Sequence, residues 1–154
     1  MKNPIKSILK KVLVVLIVAL ALLQLYRPAK NISTEVSVNA IGQHYNVPEP
    51  VDKLLRTSCY DCHSNNTVYP WYSNVQPVAL WLDDHIRDGK KHLNFDEFNT
   101  YSAERKQKKF KEIAEEIEEG EMPMTSYTLI HQNAKLSAAD KKLLVDWTKE
   151  MMKK

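Results

Sequence analysis

The only two cysteines of this chain, Cys59 and Cys62, stand three residues apart in TSCYDCHSNN (57–66), and His63 follows the second directly. Three chemistries use such a group. A structural zinc site needs four ligands at local spacings. Cys59, Cys62 and His63 offer three, but the remaining histidines, His44, His85, His92 and His131, contain no second close pair. A dithiol redox pair of the thioredoxin kind needs a strand before the motif and a helix after it; here a helical pattern precedes it. Covalent haem attachment has C-x-x-C-H as its signature. Thiols three apart lie on one side of a helical turn. They can meet the two vinyl groups of one porphyrin, and the histidine next along the turn is then directed at the iron. Both thiols are consumed as thioethers. The expected cofactor is one haem c, held by Cys59, Cys62 and His63.

A second axial ligand is sought in EGEMPMTSY (119–127). A methionine ligand raises the potential of a haem centre. Met122 precedes Pro123, which biases it towards extended backbone, and it is the preferred distal ligand; Met124 comes next. His131 would give two histidine ligands and a lower potential. The aromatic, proline-framed VYPWYSNVQP (68–77) supplies Tyr69, Trp71 and Tyr72 as candidates for packing at a porphyrin edge, with an O–H or N–H reaching a propionate. Tyr127 is a similar candidate. His85 and His92 read as surface or capping residues, because one iron takes two axial groups. The acidic run EEIEEGE (115–121) reads as a solvated helix face paired with Lys108, Lys109 and Lys111.

The elements that must position these residues read as helices. One runs from about Glu49 into the cysteine motif, with Val51, Leu54 and Leu55 on one face. A second spans about 75–88, where Val75, Val78, Ala79, Leu82 and Ile86 follow a helical stripe and Gly89 supplies a stop. A third runs from Ser102 as N-cap to Glu119, with Gly120 at its end and Phe110, Ile113, Ala114 and Ile117 inward. The fourth starts at Ser137, with Asp140 as a weaker variant of the capping box, and turns Leu143, Leu144, Trp147 and Met151 inward. No convincing strand alternation, repeat or low-complexity tract is present, so the expected class is all-α.

The N-terminus differs from the rest. Lys2, Lys6, Lys10 and Lys11 lead into the unbroken apolar run VLVVLIVALALL (12–23). A basic region followed by an apolar stretch is an export signal. The run is short for a full span, but flanking Lys and Arg side chains can snorkel, and no small-x-small cleavage site follows it. The expectation for 1–27 is a signal anchor, with a cleaved signal peptide as the alternative; a retained anchor would leave the lysines inside and the remainder in the periplasm or another exported compartment. Residues 28–47 then read as a tether, and 48–154 as the folded domain. With a net charge of +3 and no Lys/Arg cluster interleaved with aromatics, nucleic acid is not an expected partner.

Taken together, CYDCHSNNTVYPWYSNVQP, GKKHLNF, GEMPMTSYTLIH and AKLSAADKKLLVDW resemble the small membrane-anchored single-haem proteins of the haem-binding domain family, and more broadly a class I cytochrome c. The resemblance covers about residues 45–150. It implies a cytochrome c-like helical fold around covalent haem, with His63 axial and Met122 distal. Met124 stands where the family commonly has a second proline. The resemblance leaves the partner open. The function expected is one-electron transfer without enzymatic turnover, between redox proteins in or at the membrane. Two other readings are a haem-based sensor or peroxidase with a displaceable distal ligand, and a haem subunit of a larger membrane complex.

Overall fold

A computed structural model describes residues 4–153; Lys2, part of the basic N-terminal region, lies outside them. Eight α-helices follow in order: α1 (Pro4–Leu23), α2 (Ile41–His44), α3 (Glu49–Ser58), α4 (Tyr60–His63), α5 (Val78–His92), α6 (Ala103–Glu119), α7 (Thr125–Ile130) and α8 (Ala138–Met151). Short 3-10 turns occur at Trp71–Asn74, Phe95–Thr100 and Gln132–Ala134. No strand occurs among the described residues, as expected of an all-α chain. The chain divides into two units. One takes in the residues up to Lys30 with Tyr69–His85; the other takes in Asn31–Val68 with Ile86 onward.

In the larger unit, α6 packs on α8, and α3 packs on α4, α8 and the Gln132–Ala134 turn. The long helices end where their local chemistry dictates. Ser102 Oγ accepts the Arg105 N–H at 3.3 Å, and Gly120 closes α6 at φ 82°, a left-handed conformation that glycine adopts without steric cost. Ser137 and Asp140 form a reciprocal capping box at the start of α8. Val51 and Leu55 of α3 are fully buried and belong to one core cluster with Phe110, Ile117, Leu144 and Trp147. The aromatic centre is dense: Phe98 lies 5.0 Å from Phe110, which meets Trp147 edge-on at 5.8 Å. Leu143, expected inward, is mostly on the solvent side at 39% exposure; it flanks the stripe that Leu144, Trp147 and Met151 fill.

Two boundaries differ from expectation. Part of the expected tether belongs to the core: Ile41 of α2 is fully buried, and Tyr45 stands edge-on to Phe98 and Phe110 at 5.7 and 5.2 Å. Helix α5 starts at Val78 and does not stop at Gly89 but continues to His92.

The smaller unit is joined by side chain to main chain pairing. Gln24 Oε1 accepts the Gln76 N–H at 3.0 Å, and Gln24 Nε2 donates to the Gln76 carbonyl at 3.2 Å. The buried Gln76 donates through Nε2 to the Tyr26 carbonyl at 2.8 Å and accepts the Leu80 N–H at 3.2 Å, which caps the start of α5. Arg27 adds a bond to the Asn74 carbonyl at 2.6 Å. Most apolar side chains of α1 are half or more exposed. No helix among the described residues is long and apolar enough to cross a membrane. Lys6, Lys10 and Lys11 lie within α1. The uncharged stretch left to it, residues 12–23, measures only about 18 Å against the roughly 30 Å of a hydrocarbon core.

Candidate functional site

The site is built on the turn between α3 and α5. Helix α3 ends at Cys59, whose φ of −128° breaks the helical path, and a single further turn, α4, carries Cys62 and His63. Tyr60 stacks on the buried Phe95 at 5.1 Å, and the His63 ring meets Phe95 edge-on at 6.5 Å. The loop after His63 is stitched down. Asn65 N–H donates to Asp96 Oδ2 at 2.7 Å, Asn65 Nδ2 to Glu97 at 3.0 Å, and Asn94 Nδ2 to Asn65 Oδ1 at 2.8 Å.

His63 is oriented by the last turn of α5. Its Nδ1 lies 3.0 Å from both the Gly89 and the Leu93 carbonyl. Both partners are acceptors, so the imidazole proton sits on Nδ1 and the lone pair is on Nε2. Burial lowers the His63 pKa from its usual value, against the opposing pull of the two carbonyls, which keeps the ring neutral at pH 7. A neutral imidazole, held through Nδ1 and presenting Nε2, is the form that ligates a metal.

Gly89 has a specific reason to be glycine. A Cβ there would stand 2.7 Å from the Cys62 carbonyl oxygen and 3.2 Å from Cys62 Cβ. Helix α5 therefore touches the cysteine turn backbone to backbone, and this contact brings the Gly89 carbonyl within reach of His63. A glycine inside an apolar helical pattern was the available signal for such a close approach.

The two thiols are free and half-buried. Burial, with a smaller contribution from Cys62, pushes Cys59 up to about 12; burial, with Asp61 beside it, pushes Cys62 up to about 11. Thiol–disulfide exchangers work the other way, by lowering a thiol pKa, so these surroundings do not suit a dithiol redox pair. Nor do they suit zinc: among the described residues no three His, Cys, Asp or Glu side chains are grouped to hold a metal ion.

Met122 and Met124 lie outside any helix, between α6 and α7, and both are half-buried. The N–H groups of Gly120, Glu121 and Met122 converge on the Glu116 carbonyl at 3.2, 3.0 and 3.1 Å, which fixes the first half of this loop to the end of α6. Tyr127 lies on α7. Its hydroxyl donates to Asp61 Oδ2 at 2.7 Å and its ring stacks on His131 at 4.2 Å. Trp71 and Tyr72 belong to the smaller unit, where they meet edge-on at 5.9 Å with Trp71 80% exposed. In the same unit His85 lies against Trp81 at 4.1 Å; in the larger unit His92 pairs with Asp88 at 3.7 Å. Lys111 pairs with Glu115, while Lys108 and Lys109 pair with Glu112, just before the acidic run.

A helical domain that presents Nε2 of a neutral histidine beside two unoxidised thiols fits a haem. The family model described as the haem-binding domain matches residues 18–150, and the chain belongs to this family. Haem is accordingly the cofactor that the family assigns to the chain. No curated protein and no solved structure matches the chain.

Proposed function

We propose that the chain carries one haem c and serves as a one-electron carrier on the exported side of a membrane, rather than as an enzyme. Cys59 and Cys62 would form the thioethers, His63 Nε2 the proximal bond and Met122 the distal one. The observation that carries this reading is the pair of carbonyls, Gly89 and Leu93, that holds His63 Nδ1 and leaves Nε2 as the ligating atom. When bound, the haem supplies a one-electron change at its iron. The chain's part is to orient His63, shield the thiols and hold the Met122 loop, so that no axial position is left for a substrate. Redox proteins in or at the membrane are the proposed partners. The lysine-led apolar helix α1, with its exposed apolar surface, supports export and attachment at the membrane.

The test uses the full chain matured in cells that attach haem c. Haem should survive denaturing electrophoresis in the parent and be absent from the Cys59→Ala/Cys62→Ala double variant; retention by the double variant overturns covalent attachment. The parent should show the ferric Met–iron charge-transfer band and bind carbon monoxide slowly. Met122→Ala should lose the band and bind carbon monoxide rapidly, while Met124→Ala should do neither. Rapid carbon monoxide binding by the parent, or peroxide turnover well above that of free haem, would replace the electron carrier with a sensor or peroxidase.

A further inference from the structure

Asp61 lies between the two cysteines and both of its carboxylate oxygens are in use. Oδ1 accepts the Val68 N–H at 3.0 Å and Oδ2 accepts the Tyr127 hydroxyl at 2.7 Å. Its own carbonyl accepts the Thr67 hydroxyl at 2.6 Å, and the buried Thr67 is tied by its N–H to the Asn31 carbonyl at 2.9 Å. The carboxylate is therefore a fixed point on the attachment turn.

At the other end of the bond, Tyr127 stands on α7, the short helix that begins where the Met-Pro-Met loop ends. The N–H groups of Tyr127 and Thr128 both bond to the Met124 carbonyl at 3.0 Å. Whatever restrains Tyr127 restrains the second half of that loop, as Glu116 restrains the first. Helix α7 packs on the Gln132–Ala134 turn beside it and leaves Leu129 and Ile130 exposed. With little apolar burial of its own, it depends more than the other helices on a polar tie.

We propose that the Tyr127–Asp61 hydrogen bond is a clasp that holds the Met122–Met124 loop in place for distal ligation, which makes Tyr127 and Asp61 positioning residues for an axial bond neither of them forms. The inference rests on the distal-methionine reading above. A hydroxyl–carboxylate bond is among the stronger neutral-to-charged ties. Its loss should raise the open population of the loop about ten- to a hundredfold.

The experiment compares haem-loaded, full-length parent, Tyr127→Phe, Asp61→Asn, the double variant and Met122→Ala. The readouts are the rate of carbon monoxide binding to the ferrous form and the temperature at which the ferric Met–iron band fades. Tyr127→Phe should keep its attached haem, bind carbon monoxide about ten- to a hundredfold faster than the parent and lose the band at lower temperature. The double variant should match Tyr127→Phe in both readouts, because the second change removes no further tie to the loop and leaves an amide oxygen to accept the Val68 N–H. Tyr127→Phe with the parent's rate and band overturns the clasp, even if its melting temperature falls, since that would be ordinary structural loss. A parent without the band, binding carbon monoxide as fast as Met122→Ala, overturns the distal-methionine reading and the clasp with it. Tyr127→Phe remains decisive if Asp61→Asn impairs attachment.

Discussion

A thiol reacts as its thiolate, and the surroundings of Cys59 and Cys62 suppress that form. With the two pushed up to about 12 and about 11, only a trace of thiolate exists at pH 8. The haem-free chain should therefore be alkylated at pH 8 at least about tenfold more slowly than a cysteine peptide, with the rate still climbing as pH passes 10. The sign follows from burial, which favours the neutral thiol. A rate equal to the peptide's, measured by mass spectrometry of the labelled chain, would mean that the turn is open. On the proposed reading, thioether formation comes before the domain closes, because the folded site protects both thiols.

Helix α5 is where sequence and structure part most instructively. Gly89 reads as a stop because glycine commonly ends helices, yet here it is an interior residue whose missing side chain admits Cys62. Gly89→Ala should force α5 away from the cysteine turn. The expected cost is about 1–3 kcal/mol of stability, together with a changed absorption spectrum as His63 loses its two carbonyls. Parent-like melting and spectrum would show that the contact yields freely. By contrast, α6 and α8 are legible almost to the residue, since Ser102, Gly120, Ser137 and Asp140 act within one turn of themselves. The short α2 and α7 have no such signature, because helices of 4 and 6 residues are too brief to carry a period. The site divides in the same way. Cys59, Cys62 and His63 are visible as a local spacing. The Leu93 carbonyl and the Asp61–Tyr127 pair arise from residues brought together across 30 and 66 positions, which no local pattern announces.

At the scale of the whole molecule, the polar stretch before α3 matters more than its composition suggests. A polar segment with one well-placed isoleucine reads as a linker, but Ile41 is sealed in the core with Tyr45 beside it. Ile41→Ala should cost about 2–5 kcal/mol in urea unfolding. A change under about 0.5 kcal/mol, typical of surface positions, would return the segment to linker status. The glutamine pairing in the smaller unit has a consequence for how the protein is shortened. An N-terminal leader is ordinarily disposable, and trimming back to Asn31 looks harmless on composition. Such a cut would remove Gln24, the Tyr26 carbonyl and Arg27 together, stripping partners from Gln76 on three sides and from the Asn74 carbonyl. Each buried polar group left bare costs about 1–3 kcal/mol. The exit of the apolar helix is thus a working part of the fold, and a shortened form has to begin upstream of Gln24 to keep these bonds.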